Sequence, residues 1–429
     1  MPRVLLLLPA TTYRAEGFLE AARRLHLDVT VGSDVPASLS AQPPDFVMLD
    51  LRDAAATTRA VLRFAESHPL HAVIGADDHT AVVAAMVSAA LGLPHNDVEA
   101  VAAARNKHRM RELLSRQRLP VPRYAKYAIE SDPALIARQV AFPCVVKPLI
   151  LSSSCGVIRA NNEAEFVAAF RRVARLLDDL GLTAAGGSGK ELLVEAFIPG
   201  REVALEGLLS DGALRVLALF DKPDPLEGPF FEETIYVTPS RLPAEVQADI
   251  AACAAQAAGA LGLREGPVHG ELRVNEKGPC ILEVAARSIG GRCSQTLRFG
   301  AGQSLEELIL RHALRLDLPS LDREQRAAGV MMLPIPRGGI FQEVRGEARA
   351  KAVPGIEELT ISVRPGERLV PLPEGTRYLG FLIARGGTPA EVETALREAH
   401  RRLEFTIGED LPAGLAEAAT RGSPQPSSC

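Results

Sequence analysis

Tryptophan is absent from this 429-residue chain, and aromatic residues make up only 4% of it. A chain with so few aromatic side chains has little with which to stack against exposed nucleobases. Lysine and arginine number 48 and aspartate and glutamate 53, which gives a formal net charge of −5. Because nucleic-acid binding needs a basic surface, we expect no nucleic-acid partner.

The cysteines form no CxxC pair. They are Cys144, Cys155, Cys253, Cys280, Cys293 and Cys429. This scatter argues against a structural zinc site or a disulfide framework, and it is typical of a reducing compartment, so we expect a cytoplasmic protein. No apolar run is long enough to cross a bilayer, so we expect no membrane partner. The apolar run before Pro9 is too short for a signal peptide and predicts a buried strand.

The N-terminal region alternates between short apolar segments and helical stretches. The segments at 4–8, 46–50 and 72–76 predict buried strands. Strands that alternate with helices favour a parallel sheet built from βαβ units. A helix is expected to follow from about Val98 to near Arg118, before a break marked by prolines.

Further elements are predicted along the rest of the chain. Strands are expected at 143–148 and 191–198, on either side of a helix at about 163–180. From about residue 326 the pattern changes to short β segments with glycine and proline, and it ends in a helix at about 389–403. A chain of this length accommodates two or three domains.

The most informative stretch is a predicted hairpin that carries two glutamates. With a three-residue loop at 276–278, Glu271 falls directly opposite Glu283. Two facing carboxylates repel each other, and a hard dication such as Mg2+ between them would remove the conflict. Arg287 follows four residues after Glu283, where it could meet an anionic substrate. A two-residue loop would send the glutamates to opposite faces, and a solvated acidic hairpin is the alternative interpretation.

Residues suited to phosphate and adenine lie upstream. Lys147 ends a predicted strand as a point charge, and the loop of small residues at 152–157 lets backbone N–H groups approach the same phosphates. The extended segment at 195–198, followed by Glu202, can offer backbone groups to adenine and a carboxylate to ribose. For each piece alone, a surface loop or a solvent-facing side chain is the simpler interpretation.

Together, the order and spacing of these pieces resemble the ATP-grasp superfamily, which includes D-alanine–D-alanine ligase, biotin carboxylase, glycinamide ribonucleotide synthetase and the bacterial L-amino-acid ligases. The resemblance covers most of the chain and implies an α/β (α+β) fold. The implied parts are a Rossmann-like N-terminal domain at 1–97, an ATP-grasp domain at 98–325 with an ATP clamp lobe at about 123–212, a small β-rich C-terminal domain at 326–410 and a disordered tail at 411–429.

The resemblance also assigns nucleotide-binding roles to residues at matching positions. Two lysines match the phosphate-contacting lysines of the family, a loop of small residues matches its flexible lid, an extended segment matches the hinge that reads adenine, and a glutamate matches the ribose ligand. In that order the residues are Lys107 and Lys147; Ser153, Ser154 and Gly156; Glu195, Ala196, Phe197 and Ile198; and Glu202. Gly156 stands alone in a lid where relatives often have several glycines.

Metal and catalytic roles follow from the same resemblance. Glu271 and Glu283 match the two metal-bridging carboxylates, which implies ATP and Mg2+ as cofactors, with Mn2+ as the alternative metal. Arg287 matches the arginine that contacts the acceptor and the developing acyl phosphate. His269 either assists proton removal from the amine or holds a hydrogen bond in the pocket wall. Ala285 stands where many members have asparagine, so one metal ligand must come from elsewhere.

The implied activity is that of an ATP-dependent carboxylate–amine ligase with small-molecule substrates. A carboxylate is a poor electrophile until it is phosphorylated, so the reaction would pass through an acyl phosphate and release ADP and phosphate. The Glu-x-Ala-Ala-Arg form at 283–287 and the loop at 221–233 resemble the amino-acid ligase branch.

Alternative functions stay open at this point. One is a biotin-carboxylase-like or phosphoribosylamine–glycine-ligase-like enzyme, although the chain has no Met-Lys-Met biotin-attachment segment. Another is a nucleotide-binding protein without turnover, against which the intact set of lysines, glutamates and arginine argues. The C-terminal domain either mediates a homodimer or covers the cleft.

Overall fold

The computed structural model describes residues 1–9, 12, 14–34, 45–184 and 187–409. The tail predicted at 411–429 lies outside the described residues. Helices and strands are both substantial, which confirms the expected mixed α/β class. Across these described ranges, no helix combines the length and the apolar character needed to cross a membrane.

The N-terminal region folds around a parallel sheet. Its elements are β1 (Arg3–Leu7), α1 (Ala15–Arg24), β2 (Asp28–Ser33), β3 (Asp45–Met48), α2 (Ala54–Ser67), β4 (Ala72–Gly75) and α3 (Asp78–Leu91). The strands pair in the order β3-β2-β1-β4. Val4 and Leu6 of β1 pack with α1, and Leu5 and Leu7 pack with α2 and α3, so the first apolar run is buried on both faces.

Two strands of this region differ from the sequence prediction. The segment predicted as a buried strand at 46–50 is the edge strand β3, and its Asp45 and Met48 are exposed because β3 has a neighbour on one side only. The prediction also missed β2, in which the polar residues Asp28 and Thr30 interrupt the apolar pattern that was used to find strands.

The single helix predicted from Val98 to Arg118 is wrong, because the chain forms two helices there. They are α4 (Val98–Arg105) and α5 (Lys107–Arg116). Asn106 lies between them in an extended conformation and caps α5, since its side chain accepts a hydrogen bond from the Arg109 N–H. This interruption makes Lys107 the first residue of α5, and the Lys107 N–H donates to the carbonyl of Leu149.

The next segment forms a small lobe with an antiparallel sheet. Its elements are β5 (Tyr124–Ala128), α6 (Pro133–Ala137), β6 (Cys144–Pro148), β7 (Ile158–Ala160), α7 (Glu163–Asp179) and β8 (Glu191–Ala196), and the strands pair in the order β5-β8-β6-β7. Phe166, Phe170, Val173 and Leu177 form the buried stripe of α7 at helical spacing, which holds the helix on the sheet. The predicted elements at 143–148, 163–180 and 191–198 are therefore confirmed.

A large antiparallel sheet links the rest of the chain. The remaining elements are β9 (Arg201–Ser210), β10 (Ala213–Asp221), β11 (Ile235–Thr238), α8 (Ala244–Leu261), β12 (Gly266–Asn275), β13 (Gly278–Ala285), α9 (Leu305–Ala313), β14 (Ala327–Leu333), β15 (Gly339–Arg345), α10 (Glu347–Lys351), β16 (Ile356–Ile361), β17 (Arg368–Leu369), β18 (Gly380–Gly386), α11 (Pro389–Arg401) and β19 (Glu404–Gly408). Eight strands pair in the order β13-β12-β9-β10-β11-β14-β18-β16, so the sheet continues across the boundary predicted near residue 326.

The hairpin of β12 and β13 brings the two predicted glutamates together by an unexpected route. Its loop has two residues, because Asn275 pairs with Gly278, so the predicted three-residue loop is wrong. A two-residue loop alone would put Glu271 and Glu283 on opposite faces. A β-bulge at Leu282 adds one residue to β13 and restores the register, so that Glu271 lies directly opposite Glu283.

Candidate active site

A cavity of about 750 Å3, here called the cleft, lies between the N-terminal region, the small lobe and the large sheet. The predicted site residues that line it are Lys107, Lys147, Ser153, Ser154, Glu195, Ala196, Phe197, Ile198, Glu202, His269, Glu271, Glu283 and Arg287. Gly156 is the one predicted site residue outside this lining. The fold therefore gathers residues that are up to 180 positions apart in the sequence.

A buried charge cluster supports the first part of the cleft. Glu195 on β8 forms ion pairs with Lys147 on β6 and with Arg111, whose Nε lies 2.6 Å from the Glu195 Oε1. Arg111 is fully buried, and it also donates to the carbonyl of Leu282 at the β-bulge, at 2.8 Å. The sequence reasoning missed Arg111, and the available signal was its position four residues after Lys107 on the same helix.

Burial and the neighbouring charges together determine the pKa values of Glu195 and Lys147. Burial alone would raise the pKa of Glu195, but Arg111 and Lys147 hold it down to about 2. Burial lowers the pKa of the Lys147 ammonium, and Glu195 opposes that effect. An ionised Glu195 thus holds the ammonium of Lys147 at the wall of the cleft, and the phosphate role of Lys147 stays a prediction.

The segment at 195–198, predicted as an adenine hinge, uses several of its backbone groups for hydrogen bonds within the protein. The N–H of Ala196 donates to the carbonyl of Arg123, and the N–H of Phe197 donates to the carbonyl of Pro143. The carbonyl of Ile198 accepts a hydrogen bond from Arg273. The adenine role of this segment stays a prediction, and these contacts show how its backbone is held at the edge of the cleft.

Glu283 and Lys107 meet across the middle of the cleft. The Lys107 Nζ lies 3.3 Å from the Glu283 Oε2, and it donates to the carbonyl of Leu151 at 2.6 Å. The second contact ties Lys107 to the start of the predicted lid, where Ser153 and Ser154 both have φ of 55°. Lys107 therefore links the carboxylate of Glu283 to the loop at 151–156.

Lys222 is a second residue that the sequence reasoning missed. It follows the last residue of β10, and its Nζ lies 2.8 Å from Glu202, 2.6 Å from Glu233 and 2.9 Å from Glu271. Its side chain is 3% exposed, and its Nζ lies 4.8 Å from the centre of the Tyr236 ring. The available signal was the Asp-Lys-Pro sequence at the strand end, where the loop that resembles the amino-acid ligase branch begins.

The carboxylates around Lys222 fit a divalent cation. Oxygen atoms of Glu202, Glu233 and Glu271 lie within 4.8 Å of one another. Burial and the neighbouring Glu271 raise the pKa of Glu233, although Lys222 opposes them, which shows that negative charge is crowded here. Hard oxygen donors in such a group suit Mg2+. The group includes Glu271 but not Glu283, whose carboxylate pairs with Lys107, so the metal role of the Glu271–Glu283 pair stays a prediction.

Arg287 and His269 occupy the other end of the hairpin. The guanidinium of Arg287 forms a bidentate ion pair with Asp78, the first residue of α3, at 2.8 and 2.9 Å. His269 is buried; its Nδ1 lies 3.2 Å from the carbonyl of Leu205 and its Nε2 3.6 Å from the Glu271 Oε1. The first contact assigns the proton to Nδ1, because a carbonyl only accepts. Nε2 is then the nitrogen that could accept a proton.

A loop at 371–377 connects the C-terminal region to the small lobe. The N–H of Gly156 donates to the carbonyl of Pro373 at 2.8 Å, and Arg172 on α7 forms a bidentate ion pair with Glu374 at 2.5 and 2.9 Å. The same loop contributes Arg377 to the lining of the cleft. Gly156 thus contacts the C-terminal region in this structure, and its predicted phosphate role stays a prediction.

Family models match three stretches of the chain. They are an ATP-grasp N-terminal domain at 19–95, an ATP-grasp domain at 140–296 and an L-amino acid ligase C-terminal domain 2 at 331–408. The crystal structure of an L-amino acid ligase from Bacillus licheniformis is similar with a TM-score of 0.82 and 27% identity, and the match covers 95% of this chain and 99% of that chain.

Two curated relatives are similar to the central part of the chain. D-alanine–D-alanine ligase of Geotalea uraniireducens is 31% identical over 233 residues, which cover 52% of this chain and 69% of the relative. Alanine–anticapsin ligase of Bacillus subtilis is 25% identical over 233 residues, which cover 51% of this chain and 49% of the relative, so the match spans about half of its length.

Proposed function

Because the chain belongs to the ATP-grasp family of ligases, we propose that it joins a small-molecule carboxylate to an amine through an acyl phosphate, with release of ADP and phosphate. Similarity to an L-amino acid ligase over almost the whole chain supports amino acids as substrates. The named activities of these relatives also involve amino acids, which is consistent with this substrate class.

One observation carries the proposal: two buried lysines, two facing glutamates and an arginine converge on a single cleft. They are Lys107, Lys147, Glu271, Glu283 and Arg287. A polyanionic nucleotide needs cations around its phosphates, and an acyl phosphate needs a positive group at the acceptor end. A large pocket with several convergent charged groups is the usual form of a binding site, and this supports a functional role for the cluster over a purely structural one.

The chemistry follows from the charge of the carboxylate substrate. Its negative charge repels an amine, and its leaving group would be oxide. Transfer of the γ-phosphoryl group gives a mixed anhydride whose leaving group is phosphate. We assign Lys107 and Lys147 to the nucleotide phosphates, and we assign Arg287 to the acyl phosphate because its planar fork matches a tetrahedral anion.

Two further roles complete the proposed site. Glu271 and Glu283 would hold Mg2+, or Mn2+ as the alternative, and Glu202 and Glu233 lie close to Glu271. An ion bound there would supply positive charge to phosphate oxygens. His269 would accept the proton of the attacking amine at Nε2. The loop at 152–156 would limit the access of water to the acyl phosphate.

The test is phosphate release measured over a matrix of amino-acid pairs, with the nucleotide product identified and the amide detected by mass. We expect amine-dependent formation of ADP and a new amide. AMP and pyrophosphate would instead indicate an adenylate mechanism. Bicarbonate plus free biotin serves as a control, because ADP formed only in that well would move the protein to the carboxylase class.

A matched pair of variants separates catalysis from folding in this test. Glu283→Gln should stop ADP formation, whereas Glu276→Gln, on the exposed loop of the same hairpin, should not. Folded protein that binds no nucleotide by calorimetry would contradict every enzymatic interpretation and the non-catalytic nucleotide-binding alternative as well.

A further inference from the structure

The segment that carries Arg287 is held at consecutive residues. Arg287 pairs with Asp78, and the hydroxyl of Ser288 accepts a hydrogen bond from Arg14 at 3.3 Å. Both of these partners belong to the N-terminal region. The N–H of Ile289 donates in the opposite direction, into the large sheet. The segment is therefore fixed from two sides.

The partner of Ile289 is Glu206, an unusual residue for its position. It lies on β9, four residues after Glu202 on the same face of the strand, and it is fully buried. Its Oε2 accepts the Ile289 N–H at 2.8 Å, whereas its Oε1 has no hydrogen-bond partner within the described part of the chain. Burial raises the pKa of this carboxyl well above its usual value, although the hydrogen bond from Ile289 and the charges of Arg14 and Arg287 oppose that effect.

A carboxyl in this environment costs stability. One oxygen is buried without a partner, and an apolar side chain of similar size would remove that cost. The hydrogen bond to Ile289 is the feature of Glu206 that a leucine could not provide. The side chain is thus better explained by what it holds than by the packing of the core.

The chain beyond Ile289 has little conformational restriction of its own. Gly290 and Gly291 follow, and Gly291 has a φ of 60°, which favours glycine. All three residues line the cleft. An anchor immediately before two glycines limits how far the preceding arginine can move.

We infer that Glu206 is a positioning residue, which anchors the N–H of Ile289 and so fixes Arg287 at the acceptor end of the cleft. This inference rests on the role proposed above for Arg287. Glu206 does not itself contact the substrates in this arrangement. Its proposed effect on the reaction comes through the segment that it holds.

Two substitutions separate the hydrogen bond from the packing. Glu206→Gln keeps an oxygen acceptor at the same place, and we expect kcat within ~3-fold of the wild type, because one hydrogen bond is exchanged for another. Glu206→Leu fills the space without an acceptor, and we expect kcat to fall by ~10- to 100-fold, since a displacement of about 1 Å can cost this much. The KM for ATP should stay within ~2-fold, because the lysines that contact phosphate are unaffected.

Three further readouts distinguish positioning from a general structural role. Glu206→Leu should melt within a few degrees of the wild-type temperature while it loses turnover, because removal of the buried carboxyl offsets the loss of the acceptor for the Ile289 N–H. Its effect should be far from additive with that of Arg287→Lys, because both act through one guanidinium. Hydrogen exchange at the Ile289 amide should be faster in Glu206→Leu than in Glu206→Gln. Glu306→Leu, a change of another buried glutamate, on α9, serves as the matched control.

The outcomes keep this inference separate from the proposed function. Full turnover in Glu206→Leu beside a large loss in Arg287→Lys would overturn the inference and leave the function standing. Equal protection of the Ile289 amide in all variants would overturn it whether or not the enzyme turns over. Loss of that protection in Glu206→Leu, with no ADP formed by the wild type, would support the anchor and count against the function.

Discussion

Lys222→Met tests whether the carboxylates around Lys222 form a cation site. The Lys222 Nζ lies within 2.9 Å of three glutamates, and the side chain is 3% exposed. Methionine has a similar length and no charge, so the substitution removes the cation with little change in volume. Arg273 still pairs with Glu202 at 3.0 Å, but Glu233 and Glu271 lose their lysine.

The expected loss of stability is large because the pairs are buried. Removing one partner of a buried ion pair costs about 3–5 kcal/mol, since it leaves uncompensated charge. At about 1 °C per kcal/mol for a chain of 429 residues, the melting temperature in EDTA should fall by roughly 3–6 °C. Mg2+ should then stabilise the variant more than the wild type, by about 2.7 kcal/mol at 100 times its Kd, because the oxygens that bound the ammonium become available.

The assay is thermal unfolding of both proteins in EDTA and across a series of MgCl2 concentrations. Lys126→Met is the control, because the Lys126–Glu191 pair is about one-third exposed on each side and should be worth about 1 kcal/mol or less. The reasoning fails if Lys222→Met melts like the wild type in EDTA. It also fails if Mg2+ shifts both proteins equally, since the three carboxylates would then not be a site that Lys222 occupies.

Three other predictions test neighbouring parts of the cleft. Glu283→Gln should lower ADP formation ~100-fold or more with native melting, because the metal loses a charged ligand; near-native turnover would remove the metal assignment. Arg287→Lys should keep nucleotide affinity by calorimetry but lose kcat by ~100-fold, since a point charge cannot replace a planar fork; weaker ATP binding with normal kcat would reverse the roles. The pKa of Glu195 is about 2 against an ordinary value of 4.5, so its ionised form contributes stability above pH 4.5 that is lost as the pH falls towards 2. The difference in stability between wild type and Glu195→Gln should therefore shrink over that range, and a difference that is constant with pH would contradict the shifted pKa.

Part of the cleft could be predicted because its residues belong to recognisable strands. Lys147 and Glu195 lie on the neighbouring antiparallel strands β6 and β8, where Glu195 pairs with Val145, two residues before Lys147, so the two side chains share one face of the sheet. The facing pair Glu271 and Glu283 was predicted correctly from an incorrect loop. The β-bulge at Leu282 compensated, and spacing alone cannot reveal a bulge because the extra residue has no distinctive side chain.

The residues that were missed are those whose role depends on distant partners. Arg111 pairs with Glu195, 84 positions away, and Lys222 pairs with Glu271, 49 positions away. Glu206 has the same limitation, because a glutamate in a strand ordinarily indicates a solvent-facing position. A buried charged or polar side chain needs a partner close by, so it restricts the positions of its neighbours. Which side chains are buried depends on the tertiary fold, which the sequence pattern does not show.

The C-terminal loop at 371–377 contacts the small lobe and also forms part of the cleft wall. One part of it holds the small lobe, through the Arg172–Glu374 ion pair and the contact with Gly156. Another part contributes Arg377 to the cleft wall. Any displacement of the small lobe away from the C-terminal region would have to break the Arg172–Glu374 ion pair and the hydrogen bond between Gly156 and Pro373. Because Arg377 belongs to the same short loop, the position of the small lobe and the shape of this part of the cleft wall depend on one segment of the chain.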